Sequence, residues 1–259
     1  MKRATGDVKI AAMTEGGRKL GRILQQLLHA AQPGVRLNAI ETMATDLIGK
    51  AGGTPSFQTV KGYSWATCLC INDAIVHGVP TDRKLTEGDI FTIDVGMVYK
   101  GFHTDTAWTK IIQNSQLTMN NVGEKERFLN AGKEALKIAI EQAKAGNHVG
   151  HISQAIQTVI EGAGYGIVKT LVGHGVGRSL HEEPQIPGFV KGDISRTPLL
   201  VAGMTLAIEV IYARGNGAVS YESSDGWTIK TRDGSDAAVF EHTIAIGSVG
   251  PIILTGRTD

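Results

Sequence analysis

An α+β protein with an internal two-fold repeat is what the sequence predicts, and three observations lead there. Helix-periodic segments come in two pairs, each pair is followed by strand-like runs, and the two halves match under a shift of 112 residues. Helices followed by hairpin-like strands, twice over, argue for an α+β architecture.

The first helix pair lies within Arg18 to Gly53, with a break at Pro33-Gly34 and a glycine-rich stop. Lys133 to Tyr165 has the same layout, with its break at Ala145-Gly146. Under the shift Leu24 falls on Leu136, Leu28 on Ile140, Gly34 on Gly146, Ile40 on Ile152, Ile48 on Ile160 and Gly52 on Gly164. Apolar residues recur at helical spacing in both copies, and glycine ends the second helix of each. Strand-like runs then cover Phe57 to Cys70, Ile90 to Val98 and Gly101 to Ile112 in the first half. In the second they cover Ile167 to Val172, Met204 to Ala213, Trp227 to Thr231 and Val239 to Ile246. Without low-complexity segments or a clear linker, residues 1–259 read as one domain with a repeat over about 18–112 and 130–246. A ligand site between the halves is expected.

Composition narrows the function. Apolar content of 42% suits a globular core, and a net charge of +1 gives no reason to expect nucleic acid or an anionic membrane as partner. The N-terminal residues 1–7 lead into no sustained apolar stretch, so no secretory signal is expected. Pro198 to Ala213, the longest apolar stretch, is broken by Gly203 and Glu209 and falls short of the ~20 residues of a membrane span. Cys68 and Cys70 are the only cysteines and point to one face of a strand, a poor arrangement for a disulfide. A cytoplasmic, reducing setting and a monomer are the expectations.

Four acids stand in apolar runs of strand character: Asp94 in Ile90 to Val95, Asp105 in Phe102 to Trp108, Glu209 in Met204 to Ile211 and Glu241 in Ala238 to Ile244. Acids are depleted in strands, and a buried carboxylate costs several kcal/mol unless paired, neutralised or metal-bound. A hairpin turn at Lys100-Gly101 would put Asp94 and Asp105 nearly opposite each other, with Cβ atoms ~5 Å apart. One such acid would be read as a salt bridge or a solvated face. Four, with few lysines or arginines nearby, point to bound cations.

His174 sits among glycines in Gly173 to Gly177, just after an expected strand, and His181 follows in Ser179 to Pro184. The pattern is neither the helical zinc-protease motif nor a dinucleotide fingerprint. His29, His148 and His151 read as structural or surface residues, while His103 and His242 either support the ligands from behind or lie exposed. Four carboxylates and one imidazole form a hard, oxygen-rich donor set suited to paired Mn, Fe(II), Co or Zn ions. Two metals ~3.5–4 Å apart can hold a bridging hydroxide for hydrolysis of amides or esters.

The order Asp94, Asp105, His174, Glu209, Glu241, with an Asp-to-Asp spacing of eleven, resembles the type I methionine aminopeptidases, metallopeptidases of the pita-bread fold. So do Ile71 to Pro80, Gly101 to Thr106, Gly173 to Pro184, Asp225 to Thr228 and Phe240 to Thr243, and the likeness runs from about Met13 to Leu254. The resemblance implies a helix-covered, curved antiparallel sheet with pseudo-two-fold symmetry and two divalent ions, Co, Mn, Fe or Zn. It makes all five residues metal ligands, with Asp105 and Glu241 bridging, and Glu209 also the proton shuttle. It assigns His181 to the scissile carbonyl and His77 to the scissile amide nitrogen. It implies removal of the initiator methionine from nascent polypeptide N-termini, near the ribosome, when the second residue is small. By alignment the methionine pocket is lined by Phe57, Val60, Tyr63, Cys68, Leu180 and Trp227, although Phe57 and Val60 read equally well as plain core. Phe57, Val60 and Leu180 depart from the family's usual Cys, Tyr and Phe. Val210 replaces a proline after the glutamate ligand, a change that would loosen Glu209 slightly. Proline-directed peptidases of the same fold are the alternative, disfavoured by the short chain, which leaves no room for their extra N-terminal domain, and by the Trp227 segment. A non-catalytic binding relative is disfavoured by the intact ligand set.

Overall fold

The computed structural model describes residues 2–113 and 122–256, with backbone only for residues 2–7 and 122. The N-terminal reading of residues 1–7 therefore lies outside the described side chains. In the first half, α1 (Lys2–Ala30) and α2 (Leu37–Lys50) precede β1 (Thr54–Pro55), β2 (Thr67–Ile71), β3 (Ala74–Val76), β4 (Ile90–Tyr99) and β5 (Phe102–Ile111). In the second, α3 (Val122–Gln142) and α4 (Val149–Gly162) precede β6 (Gly166–Ile167), β7 (Val172–Gly175), β8 (Glu182–Pro187) and β9 (Thr205–Ala213). After these come β10 (Val219–Tyr221), β11 (Ile229–Thr231), β12 (Ala237–Ile246) and β13 (Pro251–Ile253).

The expected α+β class holds, and the repeat is visible in the backbone. α2 and α4 begin and end 112 residues apart. Gly34 donates its N–H to Leu85 O (2.8 Å) before α2, and Gly146 donates to Leu200 O (2.9 Å) before α4. Behind the helices, Gly52 and Gly164 take φ of +78° and +83°, the left-handed turn that glycine adopts without a Cβ penalty. Farther on the shift drifts, because the β10–β11 hairpin is inserted between β9 and β12.

Three readings of local structure are corrected. Phe57 opens a short 3-10 turn, Phe57–Thr59, not a strand, and β2 starts only at Thr67. His174 lies inside β7 rather than after a strand. β8, with alternating burial and two prolines, was not anticipated. Pro184 and Pro187 argued against regular structure, but a proline is tolerated where a strand's N–H faces no neighbour, and β8 ends the sheet order β13-β12-β9-β7-β8.

One face of each of the two larger sheets meets helices. Leu20, Leu24 and Leu27 of α1 and Ile40 and Ile48 of α2 pack on Phe91, Ile93 and Val95 of β4. Leu136, Ile140, Ile152 and Ile156 of α3 and α4 pack on Leu206, Ile208, Val210 and Phe240. Side chains alternate along a strand, so Asp94, Glu209 and Glu241 point away from the helices. That second face is also buried, which is why these strands read as continuous apolar runs broken by single acids. No helix among the described residues is long and apolar enough to cross a membrane.

The halves meet where β5 lies against β12, and threonines bridge them. The Thr243 hydroxyl accepts the Asp105 N–H and donates to Asp105 O, both at 2.8 Å. Thr106 Oγ1 donates to Glu241 O (2.8 Å), and Thr109 Oγ1 donates to Val239 O (2.8 Å) while accepting the Val239 N–H (2.9 Å). Thr243→Val keeps the shape but strands two buried backbone groups of Asp105. It is expected to cost about 1–3 kcal/mol, read from urea unfolding; an unchanged midpoint would show that the bridge contributes nothing.

Candidate metal centre

Asp94 (β4), Asp105 (β5), His174 (β7), Glu209 (β9) and Glu241 (β12) all line one cavity of about 500 Å³. Strand pairing sets their positions. Glu209 and Glu241 are direct partners across β9 and β12. Asp94 and Asp105 are not: Asp94 faces Ala107 and Asp105 faces Gly96, so the two aspartates are diagonal neighbours. This corrects the nearly opposite placement. The Lys100-Gly101 turn is where expected, with Tyr99 paired to Phe102, and that register offsets the acids by two residues. The directly opposed carboxylates are those of the second half.

Asp105, His174 and Glu241 each bring a donor atom within 4.8 Å of the other two. Glu209 Oε1 lies 4.0 Å from His174 Nε2. The His174 Nδ1–H donates to Gly175 O at 2.8 Å, which leaves Nε2 with its lone pair facing the carboxylates. Asp94 Oδ1 is buried without a hydrogen-bond partner. Among the described residues no lysine or arginine forms an ion pair with any of the four acids.

Burial dominates the electrostatics. It raises Asp105 to about 7, and burial together with Asp105 raises Glu209 to about 8. Asp94 and Glu241 are pushed well above the carboxylate range, again by burial first and then by neighbouring carboxylates. Burial lowers His174 to about 4, keeping the imidazole neutral as a ligand must be. A neutral imidazole, an orphaned carboxylate oxygen and four crowded acids without cationic partners fit divalent cations, which would remove the repulsion and satisfy Asp94 Oδ1.

His77 and His181 open onto the same cavity. The His181 ring stands edge-on to His174, with centroids 4.6 Å apart. His77 follows β3 with φ of +56°, a strained backbone for a non-glycine residue, of the kind that gathers at functional sites. Asp225 accepts from the Trp227 and Thr228 N–H groups and from Thr228 Oγ1 (2.6 Å), and this turn aims Trp227 into the cavity. Gly175 is obligatory: a Cβ there would lie 2.2 Å from Glu183 O, blocking the approach of β8 to β7.

All six expected pocket residues line the cavity, and Phe57, Tyr63, Cys68 and Leu180 form a buried cluster with Val60, Trp65 and Trp227 against it. Phe57 and Val60 thus both pack in an apolar cluster and line the cavity. Cys68 and Cys70 are buried free thiols. Val210 packs fully buried beneath the helices in register with Phe240, so strand pairing holds Glu209 opposite Glu241 without the proline. His103 is buried, with Nδ1 2.5 Å from Ser56 Oγ, and His242 is buried, with Nδ1 3.0 Å from Thr255 Oγ1, so neither is exposed. His148 and His151 are structural, with the His148 N–H donating to His151 Nδ1 at the start of α4. The bridging threonines were missed. Their only signal is that Thr106 and Thr243 stand one and two residues from an acid.

A helix-covered sheet carrying a buried Asp105, His174 and Glu241 cluster able to hold a metal is the arrangement of a metallohydrolase, and the model of metallopeptidase family M24 matches residues 11–248. The chain belongs to that family, whose members use divalent metal. Within it, methionine aminopeptidase 1 of Bacillus subtilis is 37% identical over 247 residues, covering 95% of this chain and 96% of the relative. The solved methionine aminopeptidase of Thermotoga maritima superposes with a TM-score of 0.89 at 37% identity, over 96% of this chain and 97% of that one. The fold is the pita-bread fold that the sequence resemblance implied. The prolidase of Pyrococcus horikoshii, at 22% identity and a TM-score of 0.75, shares the fold, but only 62% of its length is covered.

Proposed function

We propose that the protein is a methionine aminopeptidase, removing the initiator methionine from nascent chains in the cytoplasm when the second residue is small. The observation that carries the reading is the joining, in one cavity, of the carboxylate–histidine centre to an apolar pocket of Phe57, Tyr63, Cys68, Leu180 and Trp227. An unbranched, polarisable methionine side chain suits such an irregular aromatic and sulfur-lined pocket.

Asp94, Asp105, His174, Glu209 and Glu241 would hold two divalent ions, drawn from Co, Mn, Fe or Zn. Bound cations would supply charge neutralisation and a water acidic enough to act as nucleophile near pH 7. The protein's own groups do the rest. The apolar pocket orients the terminal residue. Glu209 takes a proton from the attacking water and passes it to the departing amine. His181 donates to the scissile carbonyl oxygen as charge develops there, and His77 contacts the amide nitrogen. The reaction needs no second chain, and a monomer is the expected form.

A peptide series tests this reading. Met-Ala-Ser is expected to release methionine, Met-Leu-Ser to be spared, and Ala-Pro substrates to be poor. Preference for the Xaa-Pro peptide would instead support a proline-directed enzyme of the same fold.

A further inference from the structure

A second cavity of about 350 Å³ borders the one that the candidate metal ligands line, and Glu183 and Gln185 line both. These two residues are the exposed side chains of β8, the strand at the end of its sheet, and Pro184 and Ile186 between and beside them are buried. The two cavities are thus neighbouring stretches of one path, with the outward face of β8 as the sill. The second stretch is floored by Pro187, Phe189, Val190 and Pro198, with Lys191 and Ser153 at its edge. Although the start of α4 forms one wall, its donors are already used: the Val149 N–H bonds Pro198 O and the Gly150 N–H bonds Thr197 Oγ1, both at 2.9 Å. These two helix N–H groups are therefore not free for a ligand, and the floor of the groove is apolar.

We propose that this groove is a subsite for the downstream part of the substrate, taking an apolar side chain from the fourth or fifth residue of the nascent chain. The inference rests on the aminopeptidase reading above and extends it. The occupant follows from continuity. A peptide whose first residue fills the aromatic pocket must leave the cavity by another route, and the rim at Glu183 and Gln185 opens directly into the groove. Crossing from Glu183 to Gln185 spans about 7 Å at ~3.4 Å per residue, or two extended residues. With the second residue at the mouth, the third and fourth cross the sill, and the fourth or fifth reaches the apolar floor. The backbone of β8 does not add the substrate as a further strand at this point, because the Gln185 N–H is already taken by Glu183 Oε2 at 3.2 Å. Recognition is therefore by side chain.

The metal-loaded protein is assayed on Met-Ala-Ser, Met-Ala-Ser-Gly-Gly and Met-Ala-Ser-Leu-Leu. The leucine pentapeptide is expected to exceed the glycine pentapeptide in kcat/KM by about tenfold, through KM, as partial burial of one leucine side chain would give. Phe189→Ala and the independent surface change Pro198→Asp are each expected to bring that ratio close to one while leaving Met-Ala-Ser hydrolysis unchanged. A wild-type ratio of one, or variants that slow tripeptide and pentapeptides alike, would overturn the subsite. Failure of the wild type on Met-Ala-Ser itself would overturn the aminopeptidase reading instead, so the two failures are distinguishable.

Discussion

Glu209→Gln is expected to lower kcat by about 10²- to 10⁴-fold, the contribution of a positioned acid–base group, while leaving the fold intact. The amide has the shape of the carboxylate and keeps its place opposite Glu241 in the β9–β12 pairing. It cannot take up a proton in the working pH range, so the transfer from water to leaving amine is lost. The same change removes one of the buried acids that raise the proton affinity of Glu241. The metal-free variant should therefore melt no lower than the metal-free wild type at pH 8, and higher if repulsion dominates. Stability and activity thus move in opposite directions, as expected where charge is gathered for function. A variant that keeps wild-type kcat refutes the proton-shuttle role. One that is inactive and also strongly destabilised without metal would show that Glu209 is a structural element.

The second large effect is the pH dependence of the metal-free protein. Asp105 and Glu209 have folded-state values near 7 and 8, above those of unfolded carboxylates, and Asp94 and Glu241 are raised further. In such a case the native state binds more protons than the unfolded state, so stability present at low pH is lost as pH rises towards and through the folded values. The histidines act with the opposite sign. His77, His103, His174 and His181 are lowered by burial, so they cost stability as pH falls below about 6.5, where the unfolded chain gains protons first. Above pH 6.5 their effect fades as the unfolded imidazoles also lose their protons, and the four carboxylates dominate the slope. With a chelator present, the melting temperature should fall from pH 6.5 to 8. With saturating Mn²⁺ it should rise at every pH, most at pH 8, because protons no longer compete for the ligands and the cation binds only the native arrangement. A chelated protein whose melting temperature is flat or rising over that window would contradict the account of the acid cluster.

Much of the site is legible in the sequence because its physics is local. A single acid inside an apolar run such as Ile90 to Val95 is visible without coordinates, since a strand buried on both faces gives no other reason for charge. The duplicated helix pairs are equally plain, because α2 and α4 keep their length and their glycine stop. What the sequence conceals depends on register and on contacts across the repeat. The hairpin turn was placed correctly, yet the offset between Asp94 and Asp105 follows only when pairs are counted back from Tyr99 and Phe102. The Glu209–Glu241 pairing spans an inserted hairpin, so no local turn announces it. The Thr106, Thr109 and Thr243 bridges join strands that are not ladder partners, and threonine in a strand is otherwise unremarkable. β8 was hidden by prolines that are acceptable only because it ends its sheet. That Phe57, Val60 and Leu180 all face the cavity lined by the acids is visible only in the structure.

The central claim is that the buried carboxylates exist to hold divalent cations between the two halves of the repeat. The measurement that reaches it most directly is anomalous diffraction at the manganese edge from crystals equilibrated with Mn²⁺. Density enclosed by Asp94, Asp105, His174, Glu209 and Glu241 is expected, lost when Asp105 and Glu241 are replaced by asparagine and glutamine. No anomalous density among these five residues at saturating Mn²⁺, or density only at surface sites, would contradict it.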